Sequence, residues 1–222
     1  WTMAYVRFLT AGESHGPKLS AIIEGLPAGF LIDKQAINAD LKRRQQGFGR
    51  GGRMKIEQDT VTISAGVVEQ KTTGAPIALE IDNLDYENWR EKDIAPMNAP
   101  RPGHADFAGA LKYNHDDLRL SLERASARET AMRTAVGSIC KQILAEFGIT
   151  IMAYVTRIGE ISANTDHFLA EQDFTSAYQT SLDNEFAFID ATRLDAIKTH
   201  INQTMKAKDT LGGVFETVAL GV

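Results

Sequence analysis

The stretch ASARETAMRTAVGSICKQILAEFG, residues 125–148, decides the fold. Met132, Val136, Ile139, Ile143 and Phe147 recur at spacings of three and four, which draws one apolar stripe along a helix predicted from about Ala127 to Phe147. Ser126 and Glu129 stand at capping-box spacing where that helix opens, and Gly148 is a natural stop where it ends. A helix with one apolar stripe needs a sheet or another helix to cover it, and the flanking sequence supplies strands. Upstream, Ala4 to Thr10 and Leu19 to Glu24 read as strands, and residues 60–82 hold three β-rich runs: Thr60 to Ile63, Gly66 to Val68 and Pro76 to Ile81. Asp33 can cap a short helix with Ile37 and Leu41 on its inner face, ending before Gly47. Downstream come a strand at Thr150 to Val155, a helix at about Thr192 to Lys206 with Leu194, Ile197, Ile201 and Met205 on one face, and a strand-like run at Val214 to Leu220. The strands form a meander without βαβ alternation, which predicts an α+β fold. Asp82 to Asn114 reads as irregular, punctuated by Pro96, Pro100 and Pro102.

The 222 residues are 43% apolar and 24% charged, an ordinary globular composition with material for one sizeable core. No run of about 18 apolar residues is present, so no membrane-spanning helix is predicted. The first residues do not follow the basic-then-apolar plan of a secretory leader. Cys140 is the single cysteine, so neither an internal disulfide nor a cysteine metal cluster is expected, and a reducing cytoplasm is the expected setting. Net charge is −5, yet Lys42, Arg43, Arg44, Arg50, Arg53 and Lys55 crowd one segment that holds no acidic residue. An acidic chain with one concentrated basic loop points to a local anion site rather than a broad nucleic-acid face.

Four segments carry chemistry. Gly12-Glu13-Ser14-His15-Gly16 has the G-x-S-x-G spacing of a serine-hydrolase nucleophile elbow, but such an elbow follows earlier strands and an oxyanion loop, and eleven residues leave no room for them. As a glycine turn it accounts for the glycines and not for His15, a side chain whose ordinary titration range suits acid–base work. In Arg43-Arg44-Gln45-Gln46-Gly47-Phe48-Gly49-Arg50-Gly51-Gly52-Arg53, two arginines can complement a helix C-terminus. Arg50 and Arg53 need another reason, and planar guanidinium forks suit phosphate. An RNA-binding loop of the Gly/Arg type is the alternative, weakened by having only Phe48 to stack on bases. Arg101-Pro102-Gly103-His104-Ala105-Asp106 packs a cation, an imidazole and a carboxylate into six residues. Arg124-Ala125-Ser126-Ala127-Arg128-Glu129 places two arginines at a helix N-terminus, a natural anion site. Ser138 and Lys141 match S-x-x-K without the companion motifs of penicillin-binding enzymes. His115, His167 and His200 lack neighbours at metal-ligand spacing, so no metal site is predicted.

These four segments, in this order, resemble chorismate synthase. Ser64-Ala65-Gly66-Val67, Lys71-Thr72-Thr73-Gly74, Lys112-Tyr113 and Gly212-Gly213-Val214-Phe215-Glu216 fit the same family. Gln46 departs from the proline the family often has there, and Leu122-Glu123 stand where many members have glycines. The resemblance implies a β-α-β sandwich of antiparallel sheets around a helical layer, with residues 1–222 forming the N-terminal portion of one domain. It implies a homotetramer and an anti-1,4 elimination of phosphate from 5-enolpyruvylshikimate-3-phosphate, with reduced FMN as cofactor and NADPH as an optional reductant. By the same resemblance His15 protonates the leaving phosphate with Ser14 beside it, and His104 stands by the flavin. Ser14, Arg44, Arg50, Arg101 and Arg128 bind substrate, and Arg124, Ala125 and Ser126 contact FMN. The family continues well past Val222, so this chain by itself is expected to bind FMN poorly and to be inactive. The resemblance implies neither a nucleic-acid nor a membrane partner. Three readings thus stand: the lyase, an RNA-binding module using the Gly/Arg loop, and a hydrolase acting through Ser14.

Overall fold

Leu19, Ala21 and Ile23 alternate along one strand, and Ile77, Leu79 and Ile81 along another, so each strand has one face that must be kept from water. The computed structural model, which describes residues 5–49, 57–165 and 173–222, pairs these two strands directly. Strand β2 (Lys18–Glu24) lies antiparallel to β6 (Ile77–Asp82), with Leu19 opposite Ile81, Ala21 opposite Leu79 and Ile23 opposite Ile77. Strand β1 (Arg7–Ala11) pairs with the other edge of β2 and β3 (Thr62–Ala65) with the other edge of β6, giving the order β1-β2-β6-β3, antiparallel throughout. A two-stranded ribbon, β4 (Val67–Val68) with β5 (Lys71–Thr72), sits between β3 and β6 in sequence.

Two helices cover the apolar face of this sheet. Helix α1 (Lys34–Gln45) starts where Asp33 Oδ1 accepts from the amides of Gln35 and Ala36, and it buries Ile37 and Leu41 completely. The stripe predicted on residues 127–147 is the other cover. The chain makes a 3-10 turn over Ala127–Glu129 and then helix α4 (Thr130–Ala145), which buries Met132, Ala135, Val136 and Ile139 against the strands. Phe147 falls beyond the helix end and is exposed, after the amide of Ile149 has turned back to the carbonyl of Leu144. The capping box is only half made. Ser126 Oγ accepts from the amide of Arg128, but the Glu129 carboxylate accepts from Thr10 Oγ1 at 2.6 Å and from Arg133 Nε at 3.0 Å instead of reaching back.

The segment read as irregular contains a helix, α2 (Asp106–Tyr113), and a second helix that the sequence reading did not assign, α3 (Arg119–Arg124), follows it. Periodicity could not find α2 because Phe107 and Leu111 are exposed, so the helix buries no apolar stripe. Its close contact with α3 runs instead through Gly109, where a Cβ would fall within 2.7 Å of Ser121 Cβ.

The chain divides into two compact units. The first runs from the N-terminus to Ile143 apart from a short segment beginning at Gln46, and the second combines that segment with Leu144–Val222. The second unit holds an antiparallel sheet of order β8-β7-β9: β7 (Thr150–Ile158), β8 (Ile161–Ser162) and β9 (Gly213–Leu220). Helix α5 (Phe174–Leu182), which the sequence reading did not assign, is capped by Asp173, whose Oδ1 accepts from the amide of Ser176. Helix α6 (Leu194–Ala207) buries Ile197 fully while Met205 stays exposed. The mixture of helices with antiparallel sheets is the α+β class expected. Among the described residues no helix is long and apolar enough to cross a membrane.

The α4 contact generates a stability test. Ile139→Ala should cost about 2–5 kcal/mol, read as a lower urea midpoint with an unchanged slope, because the cavity lies under a sheet that cannot collapse into it. A change under about 0.5 kcal/mol would show that α4 does not carry the core.

Candidate active site

Strands β1 and β2 are joined by the turn that holds Ser14 and His15. Gly12 has φ of +113°, and a Cβ there would lie 2.7 Å from the carbonyl oxygen of Lys18, so the turn requires glycine. The connection links two antiparallel strands, not a strand to a helix, and Ser14 is buried, so it is not a nucleophile elbow. The whole turn is clamped by one residue at the end of α3. The amide of Ser14 donates to the carbonyl of Glu123 at 3.2 Å, the Ser14 hydroxyl to Glu123 Oε2 at 2.6 Å, and the amide of His15 to the same oxygen at 2.8 Å. His15 Nδ1 lies 2.8 Å from Glu123 Oε1. The Trp89 ring covers the imidazole, centroids 4.1 Å apart and tilted by 39°, and is itself fixed by its Nε1–H donating to Asp85 at 2.9 Å. Burial pushes the Glu123 carboxyl up, but bonds from Ser14 and His15 outweigh it and hold the group below the usual carboxylate range.

Behind the turn sits a buried guanidinium. Arg128 Nη1 donates to Asp59 Oδ1 at 2.5 Å, Nε to Asn83 Oδ1 at 2.8 Å and Nη2 to the carbonyl of Asp82 at 3.3 Å, with Glu57 Oε2 3.5 Å away. Asn83 then passes the constraint on, its amide donating to the carbonyls of Gly16 at 2.8 Å and Glu13 at 3.2 Å. Arg44, at the end of α1, donates to the carbonyl of Ala127 at 2.8 Å, to Thr130 Oγ1 at 2.9 Å and to Asp59 Oδ2 at 3.4 Å. Arg44 and Arg128 therefore share Asp59. Gln45 holds the same segment by donating to the carbonyl of Glu57 and accepting from the amide of Asp59.

Arg101 makes a two-pronged ion pair with the fully buried Asp106, Nε at 2.9 Å and Nη2 at 3.0 Å, and its amide donates to the same carboxylate. Hydrogen bonds from Arg101 outweigh burial and hold Asp106 down to about 2. The guanidinium is raised in turn by that bond, and the charge of Glu123 adds to the effect, which places Arg101 within electrostatic reach of the His15 turn. His104 is exposed, at the turn ahead of α2. Arg124 donates to both oxygens of Thr10 at 2.8 Å. Arg124 and Ala125 border a cavity of about 300 Å³ between α2 and α3, whose wall includes Gly109, Tyr113, His115 and Leu120. It is mostly apolar with one cation at its edge, a lining suited to a flat aromatic ligand bearing an anionic group.

The structure thus gathers Ser14, His15 and the Glu123 clamp, and separately Arg44 and Arg128 on Asp59. Arg50 lies outside the described residues. Sequence reading missed Glu123, Asp59, Asn83 and Trp89 as site residues. Glu123 carried a signal, being a carboxylate at a position where many members of the resembled family have glycine. Glu57 and Asp59 carried another, being carboxylates at alternating positions just after the basic loop.

Residues 6–222 match the family profile described as chorismate synthase. The chain is 47% identical over 234 residues to the chorismate synthase of Aquifex aeolicus (strain VF5), covering 100% of this chain and 59% of that protein. It is 46% identical over 228 residues to that of Streptococcus sanguinis (strain SK36), and 49% over 228 to that of Streptococcus thermophilus (strain ATCC BAA-491 / LMD-9), covering 98% of this chain and 58% of each. A crystal structure described as chorismate synthase superposes with a TM-score of 0.80 at 40% identity, over 99% of this chain and 59% of that one. The chain spans about three-fifths of the length of these relatives.

The Arg101–Asp106 pair generates a pH test. A carboxyl at about 2 in the fold and 3.8 in the unfolded chain adds stability that is complete above about pH 4 and lost as pH falls towards 2. Asp106→Asn should lower the urea midpoint at neutral pH and flatten its fall between about pH 4 and pH 2 relative to the unsubstituted protein. Parallel curves across that window would show that Asp106 is not held down by Arg101.

Proposed function

We propose, from the premise that this chain belongs to the chorismate synthase family, that it carries the phosphate-eliminating half of that enzyme's site. The reaction is the anti-1,4 elimination of phosphate from 5-enolpyruvylshikimate-3-phosphate in the shikimate pathway of aromatic amino-acid synthesis. The observation that carries this reading is the clamped imidazole: a half-buried His15 with one nitrogen tied to a carboxylate whose charge also acts on the Arg101 guanidinium. A phosphate leaving group needs positive charge and a proton, and this arrangement supplies both.

His15 delivers the proton to the departing phosphate, and Ser14 keeps the turn in register. Arg44, Arg50, Arg101 and Arg128 serve the phosphate and carboxylates of the substrate. Of those described, Arg101 is the most open to solvent, while Arg44 and Arg128 must turn from Asp59 to meet a ligand. Arg124, Ala125 and Ser126 hold FMN, and the cavity bordered by Arg124 and Ala125 fits part of a flavin in size and lining. Reduced FMN, when bound, supplies electron density that the elimination needs but does not consume. His104 is assigned to the reduced flavin, whose negative charge an imidazole N–H can steady. The cytoplasm, a homotetramer and NADPH as an optional reductant complete the reading.

In the full-length protein, phosphate release from 5-enolpyruvylshikimate-3-phosphate should require reduced FMN. His15→Ala should slow it by about 10²–10⁴-fold with flavin affinity unchanged. His104→Ala should instead change how the absorbance of bound reduced flavin varies with pH. Full turnover in both variants would show the site is misplaced.

A further inference from the structure

Two facts fix where the protons of the His15 clamp must lie. A carboxylate has no hydrogen to give, and the bonds of Ser14 and His15 hold Glu123 in that ionised form. Ser14 Oγ is 2.6 Å from Glu123 Oε2, a separation that requires the hydroxyl hydrogen to lie between them. That hydrogen is therefore not available to His15 Nδ1, although Oγ is also 3.0 Å from Nδ1. Nδ1 has acceptor-only oxygens at 2.8 and 3.0 Å and no remaining donor among these partners, so Nδ1 must carry its own hydrogen.

We propose that Glu123 is a positioning residue for His15, holding the ring by Nδ1–H so that Nε2 is the nitrogen that gives a proton to the departing phosphate. The proposal rests on the reading of His15 as the acid. In that step the carbon–oxygen bond of the substrate breaks with its electron pair going to the phosphate oxygen, while the ring carbon–hydrogen bond lost in the same elimination leaves its pair in the new carbon–carbon double bond and gives its proton to a base. His15 enters the step as the imidazolium: the Nε2–H bond breaks with its pair staying on Nε2, its proton goes to the phosphate, and the ring is left neutral with Nδ1–H on Glu123. Glu123 touches neither substrate nor flavin in this scheme. It works by fixing tautomer and ring angle, the role a carboxylate plays behind any imidazole used at a single nitrogen. The clamp is more than a single ion pair, because Glu123 also fixes the backbone of Ser14 and His15 and Trp89 covers the ring. An imidazole so held cannot rotate to present Nδ1 to a ligand. Arg101, whose guanidinium feels the Glu123 charge, brings a cation to the same region.

The test has two arms on the full-length protein. The first needs no flavin and no turnover: ¹⁵N-histidine labelling with two-bond proton–nitrogen correlation, the His15 signal being assigned as the one missing from His15→Ala. Nδ1–H in the unsubstituted protein is expected. The Nε2–H-only tautomer that a free imidazole prefers would overturn the proposal. The second arm is a cycle of phosphate-release rates with reduced FMN. Glu123→Gln, which turns an amide N–H towards Nδ1, should lower kcat by about tenfold up to about 10⁴-fold with KM nearly unchanged. It should cost little more once His15→Ala is in place, because Glu123 acts through that ring. An equal loss from Glu123→Gln in both backgrounds would overturn the positioning role and leave His15 as the acid. Undiminished turnover in His15→Ala would remove the acid itself and the proposal with it.

Discussion

A guanidinium cannot be buried without partners, and Arg128 is buried. Desolvating a cation costs several kcal/mol, which only nearby carboxylates and fixed acceptors recover. Arg128 obtains them from two parts of the chain: Asp59 and Glu57 just before β3, and the carbonyl of Asp82 with the side chain of Asn83 at the end of β6. Each partner is thereby held, and each holds something else. Asp59 also receives Arg44 from α1, and Asn83 ties down the carbonyls of Glu13 and Gly16. The turn bearing Ser14 and His15 is thus referenced to the first residues after the α3 end and to the sheet at once. Removing one member would leave a buried charge unmatched, a change of about 3–5 kcal/mol.

This arrangement separates two kinds of charge in the first unit. Arg128 and Arg44 face carboxylates within the protein. Arg101 makes a comparable pair with Asp106 and keeps part of its surface in water. His15 keeps one nitrogen on Glu123 and offers the other. The contrast with a serine hydrolase is physical: Ser14 donates to a carboxylate and is buried, so it is a structural donor rather than an exposed nucleophile.

The core was legible because burial imposes a period. Ile37 and Leu41 on α1, Met132, Val136 and Ile139 on α4, and the alternation along β2 and β6 are where sequence placed them, since a helix or strand with one dry face writes that face into its spacing. Helix α2 left no such record, because its large apolar residues Phe107 and Leu111 are exposed and its packing on α3 depends on a missing side chain at Gly109. The capping box failed in part for a related reason: Glu129 had a better offer from Thr10, 119 residues away in the chain, and from Arg133.

The sequence by itself determined the α+β class, the main helices and strands, and the candidate residues Ser14, His15, Arg44, Arg101, His104, Arg124 and Arg128. The class and the elements follow from local spacing, and the candidate residues from side-chain chemistry taken together with the family resemblance of the four segments, all of which are written along the chain. Only the tertiary structure decided which carboxylate meets which cation or imidazole. Glu123 reaches Ser14 across 109 residues and Asp59 reaches Arg128 across 69. No periodicity encodes such a pair, because its energy depends on the distance and desolvation that folding sets, and a carboxylate in sequence looks the same whether it will face water or an imidazole.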